Sequence, residues 1–323
     1  MGQTYSHCAV VENQIKCDVE RSFWSYDHAR DWSDEVLSEK RVILQDIMST
    51  IMNRNPELEY YQGFHDICVV FVEVFDGDPA LAFAVSHTLS RGFLKDFMGK
   101  DFSTVTMILP LILEILKKVD LKLHDFLSSA MTEPFFATSW LITWFSHELK
   151  DIRKVARIYD GLITSHPLFC LYLCTAIVIY FRDFIMQLQP DFADVHHFLT
   201  NIFKENEASI DFNKLIMKAD RLMSALPPSR LKMLACPALK ELLIQKKITL
   251  FNKPKCITRY CDSDAKQEER VKRKEKESQL QLASPLIDAN VLWWVTSALT
   301  GGLIGGGGNS QNTSEDSTDS RAK

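Results

Sequence analysis

Between His166 and Arg182 the chain runs for fifteen residues, 167 to 181, without a charged side chain. That run is too long for an ordinary strand, and at 1.5 Å per residue it makes about 22 Å of helix, short of the roughly 30 Å of a bilayer's hydrocarbon core. A helix apolar on every face and too short to cross a membrane needs other elements packed around it. The rest of the chain offers them. Ser33, followed by Asp34 and Glu35, reads as a helix cap, and Leu37, Leu44, Met48 and Ile51 recur at helical spacing until Asn55-Pro56. Asp78-Pro79 opens a second helix toward Leu94, with proline where its missing N–H costs little. Further apolar segments lie at about 104 to 118, 138 to 149, 152 to 164, 167 to 188, 192 to 204 and 213 to 225. No stretch alternates convincingly as a strand, so the expected fold is all-α. Trp140, Trp144 and Phe145 join the expected core, the two tryptophans one turn apart on one helix face.

With 323 residues and 46% hydrophobic content, the chain can bury one large or two ordinary cores. A net charge of −5 and a pI near 6.0 give no basic face for nucleic acid. Cysteines at 8, 17, 68, 170, 174, 236, 256 and 261 form no C-x-x-C pair, and the first thirty residues show no signal peptide. Reduced thiols in the cytosol are the expectation. Cys170 and Cys174 act as small hydrophobes, and Cys256 and Cys261 lack a second ligand pair, so no metal site is expected. His65-Asp66 and His124-Asp125 have no nucleophile in context. As neighbours on helices they are expected to face apart and to serve in the core or at caps. No G-x-x-x-x-G-K-[ST] occurs, so the chain has no P-loop for a nucleotide of its own.

Two short segments carry more specific chemistry. Ile15-x-x-Asp18-x-x-Arg21-Ser22 is followed about forty residues later by Tyr60-Tyr61-Gln62-Gly63. In phosphoryl transfer to water, an arginine supplied from outside neutralises charge on the moving group, and a glutamine amide orients the attacking water. Asp18, one turn before Arg21 on a helix, could orient the guanidinium by a charge-assisted hydrogen bond. Gly63 permits a tight backbone from which Gln62 is presented. Taken singly, Arg21 reads as a surface arginine paired with Asp18 or Glu20, and Tyr-Gln-Gly as a turn.

Together these segments resemble the I-x-x-D-x-x-R and Y-x-Q-G patterns of TBC-domain Rab GTPase-activating proteins. The resemblance continues through Ser139-Trp140-Leu141-Ile142-Thr143-Trp144-Phe145 and Arg157-Ile158-Tyr159-Asp160, covering roughly residues 12 to 225. It implies a two-lobed all-α TBC domain in which Arg21 and Gln62 are catalytic fingers, supported by Asp18, Tyr60, Gly63 and Asp66. It implies no cofactor of the chain's own, since a Rab-type small GTPase in its GTP form brings nucleotide and magnesium. Tyr61, Phe64-His65-Asp66 and Leu123-His124-Asp125-Phe126 are most similar to the subgroup of that family anchored in the endoplasmic reticulum, which implies a role in traffic between endoplasmic reticulum and Golgi. The rival expectation is a catalytically silent Rab-binding or scaffold module.

The chain also departs from that pattern. An R-x-x-x-W element precedes the arginine motif in the family, and the residues before Ile15 do not contain it. The N-terminal helical region is therefore expected to be incomplete and to leave apolar surface uncovered. The expected organisation is a tail over 1–11, the TBC domain over 12–250, a charged linker over 251–285, a candidate membrane anchor over 286–308 and a polar tail over 309–323. The linker alternates charge, with six basic and six acidic residues between 262 and 278. Residues 289 to 308 carry no charge but include six glycines, which leaves a membrane segment and a tail with an apolar patch both open. A spanning segment would place Asn312-Thr313-Ser314 where glycosylation could reach it. Met1-Gly2-Gln3-Thr4-Tyr5-Ser6 fits a myristoylation pattern, with Gly2 as acceptor and Cys8 as a second lipid site. The expected location is the cytoplasmic face of the endoplasmic reticulum or Golgi membrane, or alternatively the cytosol.

Overall fold

The computed structural model describes residues 2–245 and 247–252, with side chains from residue 10 onward, and every regular element among them is helical. The first half comprises α1 (Gly2–Glu20), α2 (Asp34–Arg54), α3 (Phe64–Val74), α4 (Pro79–Arg91), α5 (Ser103–Ile108), α6 (Leu111–Val119) and α7 (Leu121–Ala130). After these come α8 (Thr138–Ile142), α9 (Ile152–Thr164), α10 (Phe169–Tyr180), α11 (Arg182–Ile185), α12 (Phe192–Asn206) and α13 (Phe212–Ala225). Two short helices, α14 (Pro228–Leu234) and α15 (Pro237–Ile244), complete the order.

The helix starts are where side-chain chemistry puts them. Ser33, Asp78, Asp120, Asp151, Asp191 and Asp211 each accept a hydrogen bond from an N–H of the first turn that follows, which satisfies a donor the helix itself leaves orphaned. Pro79 occupies the first position of α4 as expected. The apolar run becomes α10, buried along residues 169 to 178 and packed against α6, α8 and α13. Among the described residues no helix is long and apolar enough to cross a membrane. Gly161 lets α9 approach α13, since a β-carbon there would stand 3.3 Å from Ile216. One continuous core extends from Ile15 to Leu250, and Asp96 holds its last segment by accepting the N–H groups of Thr249 and Leu250 at 2.6 Å.

Three expectations need revision. The segment expected at 104 to 118 is two helices, because Pro110 stands between α5 and α6. The segment expected at 138 to 149 stops at Ile142, so Trp140 and Trp144 do not share a helix face, although both are buried. Trp144 and Phe145 instead adopt positive φ angles of 51° and 68°. Finally, α3, α7, α14 and α15 form where the sequence marks no separate helix.

Around the first two helices, a groove of about 370 Å³ is lined by Lys16, Val19, Trp24, Leu37, Arg41 and Val42 and leaves Trp24 and Val42 exposed. Residue 1, the surroundings of Gly2 and the side chain of Cys8 lie outside what is described, as do the linker beyond residue 252, the candidate anchor, the polar tail and Cys256 and Cys261.

Candidate functional site

The site is built where the end of α1, the loop before α3 and the turn after α8 come together. Asp18 lies on the inner face of α1 and is only 3% exposed. A carboxylate this deep needs partners for its charge, and it has them. Oδ1 accepts from Arg21 Nη2 at 2.5 Å, and Oδ2 accepts from the Tyr60 hydroxyl at 2.5 Å. One buried side chain therefore ties the arginine segment to the glutamine segment. Burial, then the bond to Asp18, raises the Tyr60 phenol far above its ordinary value and keeps it a donor.

Arg21 follows the last residue of α1 and its side chain is 52% exposed, so the Asp18 contact orients the guanidinium without covering it. The chain then reverses at Phe23, whose φ of 75° is costly for any residue but glycine. The Phe23 ring is buried and packs 5.8 Å from Trp32, which holds the reversal in place. Gln62 is exposed between buried Tyr61 and Gly63. Gly63 has a φ of 117°, and a β-carbon there would meet Thr143 Cγ2 at 3.0 Å. Both conformation and space require glycine beside Gln62.

The turn after α8 forms the floor. Where α8 ends its carbonyls lose helical partners; Ser146 donates its N–H and its hydroxyl to the Thr143 carbonyl, and tyrosines from other segments add further donors. The hydroxyls of Tyr61, Tyr159 and Tyr26 donate to the carbonyls of Ile142, Thr143 and Ser146 at 2.8, 3.2 and 3.3 Å. Burial raises all three phenols well above the ordinary value, so they remain neutral donors. Phe23, Trp144 and Phe145 are the non-glycine residues with positive φ among the described residues, and all three border this junction.

Asp66 completes the network from the first turn of α3. Its oxygens lie 3.3 Å from His65 Nε2 and 3.1 Å from His147 Nδ1. The neighbours His65 and Asp66 were expected to face apart, yet they touch, and so do His124 and Asp125 at 2.9 Å. Gly63 N–H reaches His65 Nδ1 at 3.3 Å, and Asp18 Oδ2 lies 3.5 Å from the same nitrogen, so the ring stands between the Asp18 and Asp66 carboxylates beside the Gly63 amide. Burial pushes the His65 pKa below 6.5, in keeping with a neutral ring.

Thus the predicted residues Asp18, Arg21, Tyr60, Gln62, Gly63 and Asp66 are brought to one junction. His147 and the three tyrosine hydroxyls belong to it as well and were missed. No spacing rule could have found them, because each reaches a backbone or carboxylate from a distant segment. The residues present an arginine and an amide to the surface over a buried polar base. Among the described residues no three metal-ligating side chains gather.

The family model of the Rab-GTPase-TBC domain matches residues 1–186. The chain is 37% identical over 219 residues to TBC1 domain family member 20 of Mus musculus, covering 68% of this chain and 52% of that protein. It is 35% identical over 223 residues to the GTPase-activating protein gyp10 of Schizosaccharomyces pombe, covering 68% and 57% of the two chains. The chain thus spans little more than half the length of these relatives. In fold, it is similar to the crystal structure of the Ypt/Rab-GAP domain of Gyp1p, with a TM-score of 0.55 at 19% identity over 68% of this chain and 74% of the other. On the extent of the family match and these identities, the chain belongs to the Rab-GTPase-TBC domain family.

Proposed function

We propose that this chain accelerates GTP hydrolysis on a Rab-type small GTPase, with Arg21 and Gln62 acting together on the partner's nucleotide. The observation that carries this reading is the buried carboxylate of Asp18, which binds the exposed arginine and the tyrosine two residues before the exposed glutamine. The GTPase in its GTP form brings nucleotide and magnesium. Gln62 orients a water whose oxygen attacks the γ-phosphorus, the bond to the bridging oxygen breaks, and GDP and phosphate leave. Arg21 neutralises the charge on the transferred group and the leaving oxygen, a contribution on the order of 10³ to 10⁵ in rate. Lysine is a poor substitute, because a planar fork bonds two oxygens at once. The identity to member 20 relatives and the similarity of Phe64-His65-Asp66 to their subgroup favour a Rab partner of the endoplasmic reticulum to Golgi step, met at the cytoplasmic face of those membranes.

Trapping with GDP and aluminium fluoride, which mimics the transferring phosphoryl group, tests this reading. The full chain, mixed with a panel of Rab proteins, is expected to form a stable complex with one group only when the mimic is present, and Arg21→Ala is expected to abolish it. Equal binding to the GTP form with and without Arg21, and no trapped complex, would establish the silent binding module instead.

A further inference from the structure

One contact at the junction has no part in the proposed chemistry. His147 Nδ1, in the turn after α8, lies 3.1 Å from Asp66 Oδ2. From Asp66 the contacts continue through His65 to the N–H of Gly63, the residue next to Gln62. A rigid floor thus reaches the peptide that carries the exposed glutamine. His147 itself is at the surface, its side chain 63% exposed, so it spends little burial on this contact.

We propose that His147 is a positioning residue for Gln62, bracing through Asp66 and His65 the loop from which the glutamine projects. The inference rests on the reading of Gln62 as a finger. A charge-assisted bond across two segments restricts a loop more than packing of an exposed side chain could, and misplacement of a water-orienting amide is costly in rate.

The brace carries a pH dependence. The charged and titratable groups facing His147 are Asp66 from α3, Glu148 beside it, Arg21 at the end of α1, and His65. The bond to Asp66 outweighs burial and the repulsion from Arg21, and raises the His147 pKa above 6.5. The phenols of the floor stay neutral. A raised folded-state pKa means that the bracing is complete below the ordinary histidine value and weakens as pH rises through the raised one.

Single-turnover GTP hydrolysis at saturating chain, read against pH, gives one test. His147→Ala is expected to lower the rate about tenfold and to remove the slope around neutrality, with GTPase affinity unchanged. His147→Asn, whose amide nitrogen replaces Nδ1 without titrating, is expected to restore most of the rate with a flat profile. Wild-type rate and slope in His147→Ala would overturn the brace.

The second test needs no GTPase. In NMR titrations of the protein alone, the Gly63 amide is expected to shift with the midpoint of His147, and Asp66→Asn is expected to lower that midpoint. A Gly63 amide blind to His147 would overturn the proposal even in a chain that activates a GTPase. If the wild type activates none while the amide follows His147, only the reading of function has fallen.

Discussion

Helix α10 packs against α8, and the turn that follows α8 buries residues 143 to 146, yet helix and turn are built by opposite rules. In α10 the backbone satisfies its own hydrogen bonds, and apolar side chains cover every face, so burial follows from composition alone. At the end of α8 and in the turn, three tyrosines from other segments donate to the carbonyls at 142, 143 and 146, that of 143 also accepting from Ser146. It also holds Trp144 and Phe145 in a backbone region that most residues avoid. The first design is tolerant and local, whereas the second depends on several parts of the chain arriving together. Strain and buried polar contacts are worth keeping only where something must be held in place, and here that is the loop of Gln62.

The comparison can be broken most forcefully in the core. Trp140→Ala, which empties a fully buried site in the middle of α8 near α10, is expected to cost about 3–5 kcal/mol of stability in urea unfolding. A loss under about 1 kcal/mol would show that this core is not the stabilising region.

Gly63→Ala sharpens it next. The forbidden φ and the 3.0 Å approach to Thr143 together predict a loss of about 1–3 kcal/mol by thermal or urea unfolding, along with a displaced Gln62 and about a hundredfold slower activated hydrolysis. A variant as stable and active as the wild type would remove the steric argument.

Tyr61→Phe leaves the Ile142 carbonyl without its donor and is expected to cost about 1–3 kcal/mol, read as a lower melting temperature with the fold retained. A neutral outcome would mean that water replaces the hydroxyl. The smallest effect belongs to a regular helix end. Asp211→Ala removes the cap of α13 and is expected to cost about 1 kcal/mol, with no change in activity.

The regular design was legible in the sequence because its signals are local. Ser33 and Asp78-Pro79 mark helix starts, and the charge-free run marks α10, all by residues a few positions apart. Arg21 and Gln62 were legible only through flanking patterns, since an exposed arginine or glutamine has no signature of its own. The helix expected to continue to residue 149 failed for a physical reason. Trp140, Trp144 and Phe145 keep helical spacing, but the chain takes left-handed angles at 144 and 145, held from outside by tyrosines that no window of neighbouring residues contains. His147 was invisible on the same ground, its partner Asp66 lying 81 positions away.

Single-turnover GTP hydrolysis by a panel of Rab proteins, with the wild-type chain, Arg21→Lys and Gln62→Ala, bears most directly on the junction as a site of catalysis. Stimulation of one Rab group by the wild type, lost in both variants while their melting temperatures stay unchanged, is the expected result. A folded wild-type chain that stimulates none of them, or variants that stimulate as well as the wild type, would contradict it.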